Sequence, residues 1–242
     1  MAKKYFTPLF LICLCIYGTA LSQAKESTAE FKDTEHPVFT VNYNFPSEIV
    51  LGAIQQRLKQ DGLSSKSRRN VISSEGVHYK ILTPDAVDLY FQVESRGKKG
   101  RDGSTVDLFI SKGKDNFVGS NNDPELAGNA IQYLNDLQPD ISIYALQQQI
   151  KQQQSAVDKK AKDYKGLLKD SRKLESKRYD LQRDLSGEIN PDKQDKLRKK
   201  IEKLDKSINK KQMDIRECQR DLDRLKDQLS LVQDQLKRES KR

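Results

Sequence analysis

Two ladders of apolar residues fill the last hundred positions of the chain, and a short polar segment separates them. Their spacing alternates between three and four residues, as in helices that supercoil around a partner helix. The first ladder comprises Ile143, Leu146, Ile150, Val157, Tyr164, Leu167, Leu174, Leu181 and Leu185. The second comprises Leu197, Ile201, Leu204, Ile208, Ile215, Cys218, Leu222, Leu225, Leu229, Val232 and Leu236. The pattern predicts two long, packed helices over residues 139–242.

The segment between the ladders, residues 186–190, has the composition of a turn. Gly187 is unfavourable inside a helix, and Pro191 is well tolerated only in the first turn of a new one, with Asn190 before it as a capping residue. Connections of this length commonly join antiparallel helices. We therefore predict a helical hairpin whose first helix ends near Leu185. A parallel dimer of two straight coiled coils is the alternative.

The hairpin hypothesis also predicts which apolar residues lie opposite each other. The expected pairs are Leu174 with Ile201, Ile150 with Leu225, and Val157 with Cys218, with a slip of one heptad left open. Cys218 is the only cysteine outside the first fifteen residues, so it has no partner for an internal disulfide. We expect it to be a small apolar residue in the helix seam, with an intermolecular disulfide as the alternative.

The N-terminal segment, residues 1–23, has the pattern of a secretory signal peptide. Two lysines precede a short apolar stretch, and small residues follow it, which places the expected cleavage between Ser22 and Ala24. Lipid anchoring at Cys13 or Cys15 is disfavoured, because bulky apolar residues precede both. We therefore expect export to the periplasm or the exterior, with no transmembrane segment after cleavage.

The middle of the chain, residues 37–138, reads as a small α+β domain after a flexible polar lead at residues 24–36. Apolar and polar residues alternate from Phe39 to Phe45 and again in three later stretches, which predicts half-buried strands. Helical periodicity follows the first strand and returns after residue 124. With a turn expected at Glu75-Gly76, the connections favour an antiparallel sheet with helices on one face.

The polar face of this sheet is the candidate binding surface. Its members are His78, Lys80, Tyr90, Gln92, Asp107 and Phe109. Tyr90 and Phe109 are expected to be exposed aromatic residues, which often mark binding sites. The alternative is that the base of the hairpin or a second copy of the chain covers them.

Charge is distributed unevenly along the chain. Residues 25–138 contain 14 Lys and Arg against 16 Asp and Glu, whereas residues 139–242 contain 28 against 19. The basic excess therefore lies on the helices. It is compatible with binding to lipopolysaccharide, wall polymers, membrane surfaces or nucleic acid, without a signal for specific nucleic-acid recognition. The finely mixed signs favour the alternative of a solvated helix surface.

Residues with catalytic or metal-binding chemistry are scarce. The chain has two histidines, and no spacing matches a zinc site, a nucleophile elbow or a phosphate loop. The oxygen-rich group Asp115, Asn116, Asn121, Asn122 and Asp123 lacks calcium-loop spacing and is better explained by turns and helix capping. We expect no cofactor, no metal and no enzymatic activity. The remaining catalytic hypothesis groups His78, Lys80 and Asp107 in three dimensions.

Four segments carry a resemblance. They are Phe45-Pro46-Ser47-Glu48 leading into a helix, the strands Val87–Val93 and Val106–Ile110, and the helix Ala130–Leu134 running into the heptad tail. In this layout the chain resembles uncharacterised exported proteins of Bacteroidota-type bacteria, which join a small α+β domain to a C-terminal coiled coil. The resemblance implies an envelope location, but it implies no activity and transfers no functional residue.

The sequence thus predicts a non-enzymatic, exported protein that binds or scaffolds through a small domain and a coiled-coil arm. A protein partner or self-association is expected. The alternative is that the basic hairpin binds an anionic envelope polymer or a membrane surface.

Overall fold

The computed structural model describes residues 23–97, 103–113 and 116–241. The expected signal peptide lies outside these residues except for its last position. The elements in chain order are β1 (Lys25–Phe31), β2 (Thr34–Tyr43), α1 (Ser47–Gln60), β3 (Lys66–Arg68), β4 (Val71–His78), β5 (Ala86–Ser95), β6 (Ser104–Ser111), α2 (Pro124–Gly187) and α3 (Pro191–Glu239). The described residues divide into two units, one that contains those up to residue 51 and those between 58 and 136, and one that contains residues 52–57 and 137–241.

The first unit is built on a six-stranded antiparallel sheet with the order β1-β2-β6-β5-β4-β3. The inner face is mostly apolar, and its central side chains, such as Phe39, Phe91 and Leu108, are fully buried. The first turns of α2 pack here, where Tyr133 contacts the rings of Tyr79 and Phe91. The α+β class and the antiparallel sheet are confirmed.

The prediction of a flexible lead at residues 24–36 is wrong. Most of this segment forms β1 and the start of β2, which pair in register from Lys25 with Thr40 to Phe31 with Thr34. Lys32 and Asp33 form the turn between them, both with positive φ, 52° and 66°, as a two-residue hairpin turn requires. The strand lacks regular alternation because it is an edge strand with mostly exposed side chains.

The turn predicted at Glu75-Gly76 is also wrong, since β4 continues through it. The register with β5 shifts between Ser74 and Val77, so β4 has one extra residue there, and Glu75 and Gly76 form a bulge. Gly76 has φ 62°, and its N–H donates to Asp88 Oδ1 at 2.7 Å. The glycine correctly indicated an irregularity at this position. The irregularity is a bulge within one strand and not a turn between two strands.

In the second unit the long helices α2 and α3 pack against each other within one chain, as the hairpin hypothesis predicts. Hydrogen bonds between the helices include those from Lys160 Nζ to Asp221 Oδ2 at 3.1 Å and from Tyr164 to Gln219 at 2.9 Å. Ion pairs link Arg178 with Asp205 at 2.6 Å and Lys211 with Asp170 at 3.9 Å. An apolar cluster around Val157, Leu222 and Leu229 forms part of the seam.

The register of the hairpin differs from the expected pairs by about one heptad, because the cross-helix contacts of α2 reach residues of α3 that lie six to eight positions beyond the expected partners. This is the one-heptad slip that the sequence left open. The Cys218 thiol contacts the carbonyl oxygen of Lys160 at 3.9 Å, and Val157 packs in the cluster of Leu222 and Leu229. The apolar pattern repeats every seven residues, so it identifies which residues lie in the seam but not which heptads face each other. The register is set by the length of the turn. Cys218 is buried in this seam, with 7% of its surface exposed.

The separate helix start expected at Pro139 does not exist, because α2 runs from Pro124 to Gly187 with the proline inside it. A proline inside a helix removes one backbone hydrogen bond. The flanking Leu137 and Ile141 are fully buried, and burial of this size offsets such a loss. Packing therefore overrides the local helix-breaking tendency.

The turn of the hairpin is held by its own hydrogen bonds. Asn190 caps α3, and its side chain accepts from the N–H groups of Asp192 and Lys193, with Pro191 at the helix start as predicted. The Glu188 carboxylate accepts from the backbone of Ile189 and Asn190 at 3.2 and 3.1 Å. These bonds fix the chain reversal after Gly187.

Candidate ligand pocket on the outer sheet face

The outer face of the sheet carries two neighbouring rows of side chains that cross several strands. The strand register places Lys66 beside Ser73, Ser73 beside Tyr90, and Tyr90 beside Phe109 in the first row. The second row runs through Arg68, Val71, Gln92, Asp107 and Thr40. The sheet thus brings together four of the six residues of the predicted binding face, namely Tyr90, Gln92, Asp107 and Phe109.

The two aromatic residues of this face are not exposed as expected. Tyr90 and Phe109 are 8% and 1% exposed, because Phe31 lies against both rings with centroid distances of 5.0 and 4.7 Å. Phe117, which follows β6, completes the cluster against Phe31 and Phe109. The two residues that cover these rings come from the edge strand β1 and from the loop after β6, both in the same unit. Neither segment has a sequence pattern that predicts this contact.

A lysine adds positive charge at this aromatic cluster. The Nζ of Lys32 lies 5.4 Å from the ring centroid of Phe31 and 5.0 Å from that of Tyr90. These distances are within the range of a cation–π interaction. The β1–β2 turn therefore holds an ammonium group at the aromatic rings.

Beside this cluster is an open cavity of about 440 Å³ that the sequence did not predict. Its lining comprises Phe31, Lys66, Arg68, Arg69, Asn70, Val71, Ser73 and Tyr90. Three of these residues are cationic and none is acidic. Among the described residues, no carboxylate forms an ion pair with Lys66, Arg68 or Arg69. The only sequence signal was the short basic run at residues 66–69, which has no strand periodicity.

The basic end of the pocket is held by a tight turn between β3 and β4. Arg68 pairs with Val71 across the turn, and the carbonyl oxygen of Asn70 accepts from the N–H of Val93 at 2.8 Å. Arg69 has φ 55°, a left-handed conformation that is unfavourable for a residue with a side chain. The backbone thus holds Arg69, which lines the pocket, in a strained conformation.

Gln92 and Asp107 are engaged by neighbouring polar groups. The hydroxyl of Thr40 donates to Asp107 Oδ1 at 2.6 Å, and Gln92 Nε2 donates to Glu94 at 2.8 Å. Burial raises the pKa of Asp107, while the Thr40 hydrogen bond opposes the rise and nearby Glu94 adds to it. These contacts fit a structural polar row beside the pocket, and neither residue lines the cavity itself.

The proposed catalytic trio is not brought together. His78 pairs with Ala86 and Asp107 with Gln92, so six residues of β5 separate their rows, which is about 20 Å at ~3.3 Å per residue. The exposed ring of His78 bonds the carbonyl oxygen of Pro84 at 3.0 Å. Lys80 is exposed in the turn after β4. The hypothesis of a His78–Lys80–Asp107 cluster is therefore wrong.

The oxygen-rich group before α2 serves as turn and cap where it is described. Asn122 accepts from Gly119 N–H and donates to the Phe117 carbonyl, while Asp123 accepts from Leu126 N–H at 3.1 Å. Asp115 lies outside the described residues. Within the described ranges, no group of three His, Cys, Asp or Glu side chains has an arrangement that could hold a metal ion.

Comparisons with known proteins supply no relative. No family model matches the chain, and neither a curated protein nor a solved structure is similar to it. Among the described residues, no helix combines the length and apolar character needed to cross a bilayer.

Proposed function

We propose that this chain is a non-enzymatic, exported binding protein. Its α+β unit binds a ligand on the outer sheet face, and its helical hairpin serves as an arm for contact with other molecules. The observation that carries the proposal is the pocket beside Phe31 and Tyr90, where cationic side chains without ion-pair partners among the described residues meet aromatic ones. Export rests on the signal-peptide pattern of residues 1–23 alone.

The distribution of polar groups favours binding over catalysis. General acid–base chemistry needs titratable groups within hydrogen-bonding reach of one substrate. The candidate groups His78 and Asp107 are far apart along the sheet, whereas the pocket is lined by permanently charged guanidinium groups. Such groups recognise anions well and are poor proton donors or acceptors near neutral pH.

The hairpin has the properties of a self-contained arm. Its seam is filled from within the chain, so the helices need no second coiled-coil partner. Ile189 is 91% exposed in the braced turn, and Tyr179 is 68% exposed on α2. Exposed apolar side chains on an ordered support are suited to contact another protein.

The test uses the immobilised full chain and solubilised envelope fractions. We expect the wild-type chain to retain a component that the double variant Arg68→Gln/Arg69→Gln does not retain. Lys59→Gln/Lys80→Gln is the matched control, because it removes two exposed charges of the same unit outside the pocket. Equal retention by both variants would show that the pocket is not the binding site.

A second candidate function is binding of anionic polymers by the hairpin, and the excess of 28 basic over 19 acidic residues in 139–242 favours it. Lys199, Lys200 and Lys203 on α3 are exposed and form no ion pair among the described residues. Binding of lipopolysaccharide should weaken steeply from low to physiological salt. Lys199→Gln/Lys200→Gln should lower the affinity more than the Lys59/Lys80 control does and should make its dependence on salt shallower. Affinity that does not change with salt would eliminate this candidate.

A further inference from the structure

We propose that the pocket on the outer sheet face binds a phosphorylated sugar, with the phosphate at the basic rim and the sugar ring toward the aromatic floor. This inference rests on the proposed binding function and names its ligand class. Of the residues that line the pocket, the sequence predicted only Tyr90 as part of a binding face. The other residues were missed largely because β3 and the end of β1 had no recognisable strand pattern.

The positive charge of the pocket favours a negatively charged ligand. Lys66, Arg68 and Arg69 line it, and Lys32 is held at the ring of Tyr90, which also lines it. Lys66 and Arg68 are two residues apart on β3, so their side chains leave the strand on the same face. A single carboxylate would leave most of this charge unmatched. A phosphate monoester carries up to two negative charges and several acceptor oxygens, and arginine forks match its geometry.

The volume and the aromatic lining of the pocket indicate a ligand that is larger than a phosphate group alone. A cavity of about 440 Å³ is in the range of small-molecule sites and far larger than a phosphate group needs. Phe31 and Tyr90 supply an apolar side, while Asn70 and Ser73 add polar groups. A sugar ring has an apolar face and hydroxyl edges, so it matches both kinds of lining in a way that a hydrocarbon chain does not.

The strained turn supports a binding role for Arg69. Left-handed backbone at a residue with a side chain persists only where surrounding contacts enforce it, and such strain concentrates at functional sites. Here the pairing of Arg68 with Val71 and the hydrogen bond from Val93 N–H to the Asn70 carbonyl enforce it. Glycine would fit the backbone better but would remove the guanidinium from the pocket.

The test is calorimetric titration of the full chain with glucose 6-phosphate, inorganic phosphate, glucose and phosphatidic acid vesicles. We expect glucose 6-phosphate to bind more tightly than inorganic phosphate, and no detectable binding of glucose. Arg68→Gln/Arg69→Gln should weaken binding of glucose 6-phosphate by about tenfold or more, since charge-assisted hydrogen bonds are lost. Lys59→Gln/Lys80→Gln should bind like wild type.

Each other outcome overturns the inference. Equal affinity for glucose 6-phosphate and inorganic phosphate would show that the sugar does not contribute to binding. Binding of the vesicles alone would show that the phosphate belongs to a lipid headgroup. Unchanged affinity in the Arg68/Arg69 variant would place the site elsewhere. If no probe binds while envelope components are still retained through the pocket, the ligand class is wrong and the proposed function stands; if nothing is retained either, both fail.

Discussion

At the scale of single residues, Asp123 connects the first unit's loop to the start of α2. Its carboxylate accepts from Leu126 N–H at 3.1 Å and pairs with Lys112 at 2.8 Å. The hydrogen bond from Lys112 contributes most to lowering the pKa of Asp123 below its ordinary value of 3.8, and the backbone bond adds to it. The native state therefore favours the ionised carboxylate.

We expect Asp123→Ala to lower the free energy of unfolding at pH 7 by about 1 kcal/mol, because it removes the helix cap. A lowered pKa in the folded state makes this stabilisation fully present above pH 3.8 and lost as the pH falls through the folded value. Urea unfolding at several pH values measures the effect. Asp85→Ala removes only the more exposed partner of Lys112 and should have little effect. A pH-independent loss would contradict this account.

Arg69 offers a second prediction about a single residue. We expect Arg69→Gly to raise the free energy of unfolding by about 0.5–1 kcal/mol, because glycine adopts the left-handed conformation without the penalty that a side chain incurs. The same change should weaken binding of glucose 6-phosphate. Thermal unfolding and calorimetric titration measure the two effects separately, and Arg68→Gly in the adjacent strand should destabilise instead. Destabilisation by Arg69→Gly would show that the backbone is not strained.

At the scale of elements, β1 is an ordered strand that covers the aromatic cluster on the outer face of the sheet, and it is not a flexible lead. Phe31 packs on Tyr90, Phe109 and Phe117. We therefore expect Phe31→Ala to lower the free energy of unfolding by about 2 kcal/mol, less than for a fully buried phenylalanine. Glu30→Ala, an exposed neighbour on the same strand, is the control. Equal stability of the two variants in urea unfolding would instead support the prediction of a flexible lead at residues 24–36.

The elements that the sequence predicted are those whose burial alternates regularly. The strands that contain Phe39, Phe91 and Leu108 bury most of one face, and their apolar period is clear. By contrast, β1 and β3 are edge strands with mostly exposed side chains, so nothing in their composition distinguishes them from loops. The pocket was missed for the same reason, since β3 supplies its basic side.

Four of the six residues of the candidate face lie together on the sheet, but its two aromatic residues, Tyr90 and Phe109, are buried. Alternation alone places Tyr90 and Gln92 on one side of their strand, and pairing then brings Phe109 and Asp107 beside them. Whether that side is open depends on Phe31 and Phe117, which come from segments distant in sequence. Local periodicity contains no information about such a contact.

At the scale of the whole molecule, the decisive property is that the long helices pair within one chain. We expect nitroxide labels at positions 170 and 211 to lie less than about 20 Å apart, because packed helix axes are ~8–10 Å apart. The labels are attached to cysteines in a chain whose Cys13, Cys15 and Cys218 are replaced by Ala. Electron paramagnetic resonance measures the separation.

A label pair at positions 159 and 200 is the control, because these positions lie on different levels of the hairpin. We expect them about 30 Å apart at a helical rise of ~1.5 Å per residue. Dilution with unlabelled chain should leave the short distance unchanged. A short distance that disappears on dilution would show that the helices pair between chains.

One of the two edge strands of the sheet, β3, has a consequence for the solution behaviour of the chain. An unpaired strand edge can recruit the edge of another molecule and begin a fibril, and proteins counter this with short, charged edge strands. β3 is three residues long, and two of them are Lys66 and Arg68. The same cations that make the pocket attractive to a phosphate therefore also protect the protein from self-aggregation, so neutralising them should be judged by solubility as well as by affinity.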